Sequence, residues 1–261
     1  MIDFHNHLIP AVDDGAADLA DSRFGMAAMV DQGATTIIAT PHFRGSMAGR
    51  ARDRNAYLAV IDKAWEELRE LGRKEFPKVR LERGAEVMLD VPSPDLSDSR
   101  LRLAGTAFVL CEFPFMRIPP HSIRAIATLA DGGVHPVVAH PERYSNMMGN
   151  LELMEDWKAA GAFLQVNCGS LTGQYGAAAK RIAWDLVRRG VADYLSSDYH
   201  ARGRCQIADC AAALTEAGGK SQLRALTVTN PQRMLRGEPP LPVAPFTTRK
   251  PKLWRRLLRL A

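Results

Sequence analysis

The chain has 261 residues, 46% of them hydrophobic and 24% charged, with a formal net charge of +5. Such a length suits one barrel-sized domain with a sizeable core, and the composition is that of an ordinary soluble globular protein. The basic balance belongs to one end: Arg249, Lys250, Lys252, Arg255, Arg256 and Arg259 lie there without an acid among them, so the rest carries a formal −1 (5 − 6). A nucleic-acid enzyme would carry its basic residues around a groove, and nucleic acid is therefore excluded as a partner. No apolar run approaches the length of a membrane-spanning helix. Asp3 and His5 interrupt the start where a secretory leader would need a basic segment and then an apolar one. Cys111, Cys168, Cys205 and Cys210 form no zinc-type pair and read as buried free thiols of a reducing cytoplasm.

Short apolar runs alternate with amphipathic stretches along the chain. Strands are expected at Ile2–His5, Thr35–Ala39, Val79–Arg83, Ala107–Cys111, Pro136–Ala139, Ala162–Val166 and Asp193–Ser196. Helices are expected near Ala17–Gln32, Arg54–Leu71, Ser122–Gly132, Leu151–Ala160, Ala177–Arg189 and Ile207–Ala217. Gly33, Gly72, Gly132, Gly161, Gly190 and Gly218 fall where helices would end in a left-handed residue. Seven strands in mostly βα order imply an α/β fold with a parallel barrel, and no eighth strand is found. From Gly237 the composition shifts: Pro239, Pro240, Pro242 and Pro245 predict a stiff, helix-free linker over 237–248, ahead of the basic end at 249–261. The barrel is expected to occupy 1–236.

Metal-ligand residue types recur just after these runs: His5 and His7, His42, Glu86, Glu112, His140, then Asp198 and His200. In parallel barrels, catalytic side chains sit where strands end and loops begin, all at one face. His5 and His7 alternate on one strand end, so both imidazoles point the same way. Alone, that pair reads equally as two solvated loop histidines. Asp13-Asp14-Gly15 follows and by itself would be a turn. Pro41 holds the residue before it extended, ahead of His42. Gly84 would permit close backbone approach beside Glu86. Glu112, in an apolar strand between Cys111 and Phe113, is costly unless paired with an arginine or bound to a metal. Met116, Arg117, Ile118 and His121 are expected to rim the cleft.

His5-x-His7, Asp13-Asp14-Gly15, Thr40-Pro41-His42, Gly84-Ala85-Glu86, Cys111-Glu112-Phe113-Pro114, Ala139-His140-Pro141-Glu142-Arg143-Tyr144 and Ser197-Asp198-Tyr199-His200 together resemble the PHP (polymerase and histidinol phosphatase) superfamily. They are most similar to its bacterial manganese-dependent protein-tyrosine phosphatases of the CpsB/CapC/YwqE type, motif by motif from Met1 to about Arg236. The resemblance implies a distorted (β/α)7 TIM-like barrel, the PHP fold, with a trinuclear site. One metal would take His5, His7, Glu86 and Asp198, a second Glu86, Glu112 and His140, and a third Asp14, His42 and His200. Oxygen and imidazole ligands without thiolate suit manganese, iron or zinc, and the family points to manganese. Three divalent ions against Asp14, Glu86, Glu112 and Asp198 would leave a surplus of positive charge for a phosphate dianion. Arg143 and either Arg202 or Arg204, with Arg204 preferred, would hold phosphate oxygens through the guanidinium fork. The chemistry implied is metal-assisted hydrolysis of a phosphomonoester, with Asp14, His42, Arg143 and Arg204 as its catalytic residues.

Cys111 to Arg117 also matches the Cys-x5-Arg spacing of cysteine-dependent tyrosine phosphatases. That chemistry needs a thiolate over a cradle of backbone N–H groups. Pro114 removes one donor, no glycine is present, and Glu112 would repel phosphate, so the spacing is coincidental. Lys252 to Leu260 is amphipathic if helical, with Leu253, Trp254, Leu257, Leu258 and Leu260 opposite its basic residues. It reads as a surface for anionic lipid or a membrane-bound tyrosine kinase, or else it packs on its own barrel. The implied setting is cytoplasmic, at the inner face of the membrane if that end binds lipid, and the implied role is control of capsule or exopolysaccharide synthesis through a phosphotyrosine protein. Alternatives are a histidinol-phosphate type of small-molecule phosphatase, a metal-free scaffold with a degenerate site, and an amidohydrolase. The scaffold is disfavoured because every expected ligand is present, and the amidohydrolase because no lysine follows a strand in the metal-bridging position.

Overall fold

The computed structural model describes residues 1–146 and 151–247, so the basic end at 249–261 lies outside the described residues. Among the described residues nine strands form, all paired in parallel: β1 (Ile2–Asp3), β2 (Thr36–Ala39), β3 (His42–Arg44), β4 (Arg80–Arg83), β5 (Glu86–Met88), β6 (Phe108–Glu112), β7 (His135–Ala139), β8 (Phe163–Asn167) and β9 (Tyr194–Ser196). All seven expected strands are present. The additional two arise because the second and third runs each bend and continue. Thr40-Pro41 interrupts the second run, where proline has no N–H for a ladder. Gly84-Ala85 interrupts the other, and a Cβ on Gly84 would sit 3.1 Å from the Arg102 carbonyl and the Leu103 Cα.

The bends hand the chain from one sheet to the next. The order is β1-β2-β4 in one sheet and β3-β5-β6-β7-β8-β9 in the other. At the outer edges β1 and β9 meet without a regular ladder: the Ser196 hydroxyl accepts from the Phe4 and His5 N–H groups, both at 2.9 Å. Just beyond, Asp198 N–H donates to the His5 carbonyl at 2.7 Å, and Asn6 bridges Tyr199 in parallel.

Among the described residues ten α-helices form: α1 (Leu19–Asp31), α2 (Gly45–Ala48), α3 (Ala51–Glu75), α4 (Ser122–Asp131), α5 (Glu152–Ala159), α6 (Cys168–Thr172), α7 (Gly176–Arg189), α8 (Ile207–Glu216), α9 (Lys220–Arg224) and α10 (Asn230–Met234), the last two linked by a π-helical turn at Ala225–Thr229. The six long ones fall where the periodicity placed them. Asp18 caps α1 by accepting from the Ala20 and Asp21 N–H groups, and Gly190 closes α7 at φ 71°. Gly72, expected at a helix end, lies inside α3, which runs on to Glu75 and packs Gly72 against Leu81. The short helices α2, α6, α9 and α10 escape the periodicity because four or five residues cannot show a 3.6-residue repeat.

One apolar cluster brings Phe4, Ile38, Leu110, Val137 and Tyr194 together from both sheets, and a larger one fills the space beneath the helices. Each such fully buried side chain contributes about 1.5–3 kcal/mol. Over its described length the Pro-rich segment holds no helix, and it is no free spacer. Val243 is buried, Phe246 N–H donates to the Arg188 carbonyl at 2.9 Å, and Asn230 bonds Leu241 in both directions.

Candidate metal centre

The strands deliver their ligand-type side chains to one place. The β3–β5 register sets His42 directly beside Glu86, and β5–β6 sets Met88 beside Glu112. His140 and Asp198 follow β7 and β9 in left-handed conformations, φ 35° and 55°, which are strained for residues with a Cβ. Those turns point both side chains back over the strand ends.

Glu86 is the hub and is buried. Its carboxylate lies 3.2 Å from His5 Nε2, 3.4 Å from His7 Nε2, 3.1 Å from His42 Nδ1 and 3.1 Å from His140 Nε2. Asp198 Oδ1 stands 3.2 Å from His5 Nε2 and 3.5 Å from His7 Nε2. Glu112 reaches His42 at 3.4 Å, and the exposed Asp14 stands 3.4 Å from both His42 Nε2 and His200 Nε2. All nine expected ligands are thus in one cluster. Four groups have donor atoms close enough to share an ion: His7-Asp14-His42-His200, His5-His140-Asp198, His5-His7-Glu86 and His42-Glu86-Glu112. The grouping differs from the expected sets in three ways: His140 stands with His5 and Asp198, His42 stands with Glu86 and Glu112, and His7 joins Asp14, His42 and His200.

The geometry fits divalent cations. Two ligand atoms each about 2.1 Å from one ion stand about 3.0–3.4 Å apart, and all these pairs but His7–Asp198, at 3.5 Å, fall in that range. His5 Nε2, His7 Nε2 and His42 Nδ1 are buried without a hydrogen-bond partner, which is costly unless something else binds them.

A surrounding layer of hydrogen bonds sets which nitrogen faces inward. His5 Nδ1–H donates to Gln165 Oε1 at 2.8 Å, Gln165 Nε2 donates to Asn167 Oδ1 at 2.9 Å, and Asn167 Nδ2 donates to Asp198 Oδ2 at 2.7 Å. Because the Gln165 amide must present oxygen to His5, Nε2 of His5 keeps its lone pair for the centre. His7 Nδ1–H donates to Asp13 at 2.7 Å in the same way, and Asp13 also accepts from the His42 and Gly15 N–H groups. Glu142, buried, accepts from Asn167 N–H and the Ser170 hydroxyl and braces the end of β8. A Cβ at Gly15 would lie 2.1 Å from the His7 carbonyl, so only glycine fits there.

Charge is concentrated enough to shift these groups strongly. Burial opposes protonation of His42, but the facing Glu112 and Glu86 carboxylates outweigh it and carry its pKa up to about 10. His5 and His7 also rise against their burial, through Glu86 and Asp198 for His5 and chiefly through Asp13 for His7. Burial would raise Glu86 and Asp198, but the imidazoles hold both well below the usual carboxylate range. The carboxylates therefore demand positive charge among them. His200 moves down, from burial and the neighbouring His7.

Arg143 donates to Asp198 Oδ2 at 2.5 Å and lies 4.0 Å over the Tyr175 ring. It lines a cleft of about 620 Å³ with Glu86, Glu112, His140, Asp198 and His200. Arg204 does not line that cleft. Its 73% exposed guanidinium pairs with Asp209 at 2.8 Å, beside Arg202 in an adjoining depression. Met116 lines the cleft as expected, but Arg117, Ile118 and His121 do not, and Phe115 does. Cys111 is buried with its thiol pushed far up by burial and by Glu86, unsuited to act as a thiolate. The supporting roles of Gln165, Asn167, Glu142 and Tyr175 were not read from the sequence. A Gln-x-Asn alternation in an otherwise apolar strand is the one local signal for the first two.

A parallel α/β fold with a buried imidazole–carboxylate cluster at its strand ends defines a candidate metal centre of the hydrolytic type. The chain belongs to the CpsB/CapC family of capsular polysaccharide synthesis, which matches residues 1–236. It is 34% identical over 202 residues to the tyrosine-protein phosphatase YwqE of Bacillus subtilis (strain 168), covering 77% of each chain. It is 28% identical over 178 residues to the tyrosine-protein phosphatase CpsB of Streptococcus agalactiae serotype III (strain NEM316), covering 67% of this chain and 70% of that one. Among solved structures, one from work on YwqE of Bacillus subtilis and CpsB of Streptococcus pneumoniae, described as metal-dependent tyrosine phosphatases, superposes with a TM-score of 0.78 at 30% identity. The match covers 96% of this chain and 100% of that one. A D-hydantoinase matches at a TM-score of 0.50 and 13% identity, over 87% of this chain and 68% of that one, a likeness of fold alone. Among the described residues, no helix is long and apolar enough to cross a membrane.

Proposed function

We propose that this protein is a divalent-cation-dependent phosphatase that hydrolyses phosphotyrosine on proteins, in the control of capsular or exopolysaccharide synthesis. The observation that carries this reading is the set of buried, unpartnered nitrogens of His5, His7 and His42 packed around Glu86. His5, His7, Asp14, His42, Glu86, Glu112, His140, Asp198 and His200 would hold the ions. Three ions, manganese foremost with iron or zinc as alternatives, suit a donor set without thiolate. Bound divalent cations supply Lewis-acid activation of water and charge neutralisation at a phosphoryl group.

The chain's own residues do the rest. Arg143 has guanidinium N–H groups beyond the one on Asp198 and is 24% exposed at its side chain, so it can grip a phosphoryl oxygen at the cleft floor. Asp198 and Tyr175 hold that guanidinium in place. Arg204 would reach the phosphoryl group only by releasing Asp209. A phenolate of pKa about 10 leaves without a strong general acid, and aryl phosphates are therefore the matched substrate class. The parallel strand order and the Asn6–Tyr199 bridge just beyond β1 and β9 support a distorted seven-stranded barrel, with two of its strands bent. The proposed partner is a membrane-associated bacterial tyrosine kinase, met at the inner membrane face through the basic end at 249–261. The proposed setting is the cytoplasm.

Metal analysis of purified protein, with hydrolysis of a phosphotyrosyl peptide compared with histidinol phosphate in the presence and absence of manganese, tests the reading. Manganese-dependent preference for the peptide is expected. Preference for histidinol phosphate would overturn the substrate, and full activity in the chelated protein would overturn the chemistry.

A further inference from the structure

The cleft has two unlike sides. Its floor is the imidazole–carboxylate cluster, whereas Phe43, Met47, Tyr57, Met88, Phe115 and Met116 make up an apolar wall. Phe115 is 92% exposed, the most exposed large hydrophobic side chain among the described residues. It stands three residues beyond Glu112, where β6 gives way to its loop.

The fold holds Phe115 there against local preference. Phe115 and Met116 both adopt left-handed backbone, φ 56° and 51°, which bulky residues rarely occupy. The turn is pinned from the segment that carries His140 and Arg143. Ser145 N–H and hydroxyl donate to the Met116 carbonyl at 3.0 and 3.3 Å. Asn146 brackets Ile118, accepting from its N–H at 2.9 Å and donating to its carbonyl at 3.0 Å. The loop bearing the ring and the loop bearing the guanidinium are thus set relative to each other. A strained turn that exposes a large apolar ring adds nothing to the core, so its rationale lies in what enters the cleft.

We propose that Phe115 is a specificity-determining residue, whose ring, with the thioethers of Met116 and Met88, takes the aryl group of the substrate while the floor takes its phosphoryl group. Aromatic and thioether surfaces favour an aromatic guest. The chemistry recognised is an aryl phosphate presented on a peptide. A phosphoserine side chain is too short and too polar to cover this wall. The inference rests on the reading that this cleft cleaves phosphotyrosine.

The test uses full-length, manganese-loaded protein and the variants Phe115→Ala and Phe115→Tyr. Phe115→Ala should raise KM for a phosphotyrosyl peptide about tenfold, the loss of one aromatic contact, with kcat little changed. The inhibition constant of inorganic phosphate, which meets only the floor, and the metal content should stay at wild-type values. Phe115→Tyr, which keeps the ring, should restore KM. An unchanged KM in Phe115→Ala overturns the proposal, and so does an equal weakening of phosphate inhibition, which would mark damage to the floor. Wild-type protein inactive on the phosphotyrosyl peptide would overturn the functional reading and this inference together, an outcome distinct from the other two.

Discussion

Replacing Glu86 by glutamine removes one negative charge from the centre of the cluster with almost no change in volume. The carboxylate it replaces is in contact with four imidazoles at 3.1–3.4 Å and is 1% exposed, so no water can take its place. Removing one partner from a buried, hydrogen-bonded charge cluster costs about 3–5 kcal/mol. At about 1.36 kcal/mol per power of ten, that corresponds to roughly two to four powers of ten in activity. The loss should appear as reduced bound metal and reduced kcat/KM together, because a neutral amide replaces the anionic group that would hold the cations amid the imidazoles. Metal content by mass spectrometry, kcat/KM on a phosphotyrosyl peptide and circular dichroism separate this from unfolding. A folded Glu86→Gln protein with full metal content and activity within tenfold of wild type would refute the view that Glu86 is the hub.

Cys111→Ser should keep activity within about threefold, since the buried thiol is no nucleophile, whereas Glu112→Gln should lose about a hundredfold or more; the reverse pattern in peptide hydrolysis would defeat the metal reading. Gln165→Leu should weaken metal affinity about 10–100-fold by freeing the His5 ring and the Asn167 amide, and a chelator competition titration that finds no change would show that the relay is only packing. Asn230→Ala should lower stability by about 1–3 kcal/mol, measured by urea unfolding, with wild-type kinetic constants. Its amide joins Asp193, just before β9, to the Pro-rich segment, and it does not line the cleft. Chelation should abolish activity and lower the melting temperature, and manganese should restore both; a melting curve indifferent to metal would mean the cluster is not an ion site.

The comparison between what was legible and what was not follows the range of each signal. Strand periodicity and apolar runs are local, so β1, β2, β4, β6, β7, β8 and β9 and the long helices are visible in the chain itself. The bends that create β3 and β5 carry Pro41 and Gly84 as markers. Their consequence, the transfer from one sheet to the other, depends on which strands pair. Arg204 looks equivalent to Arg143 in the sequence, since both are arginines near a ligand-bearing turn. Asp209, in the first turn of α8, captures the one, and Asp198 holds the other at the cleft.

The amino-acid order by itself determined seven of the nine described strands, the six long helices and the nine imidazoles and carboxylates, because residue type and spacing carry those properties locally. Only the tertiary structure decided which nitrogen of His5 faces inward, and that Asp209 draws Arg204 away while Asp198 holds Arg143 at the cleft. Those depend on contacts between residues as far apart as His5 and Gln165 or Arg143 and Asp198, which exist only once the parallel strands are in register.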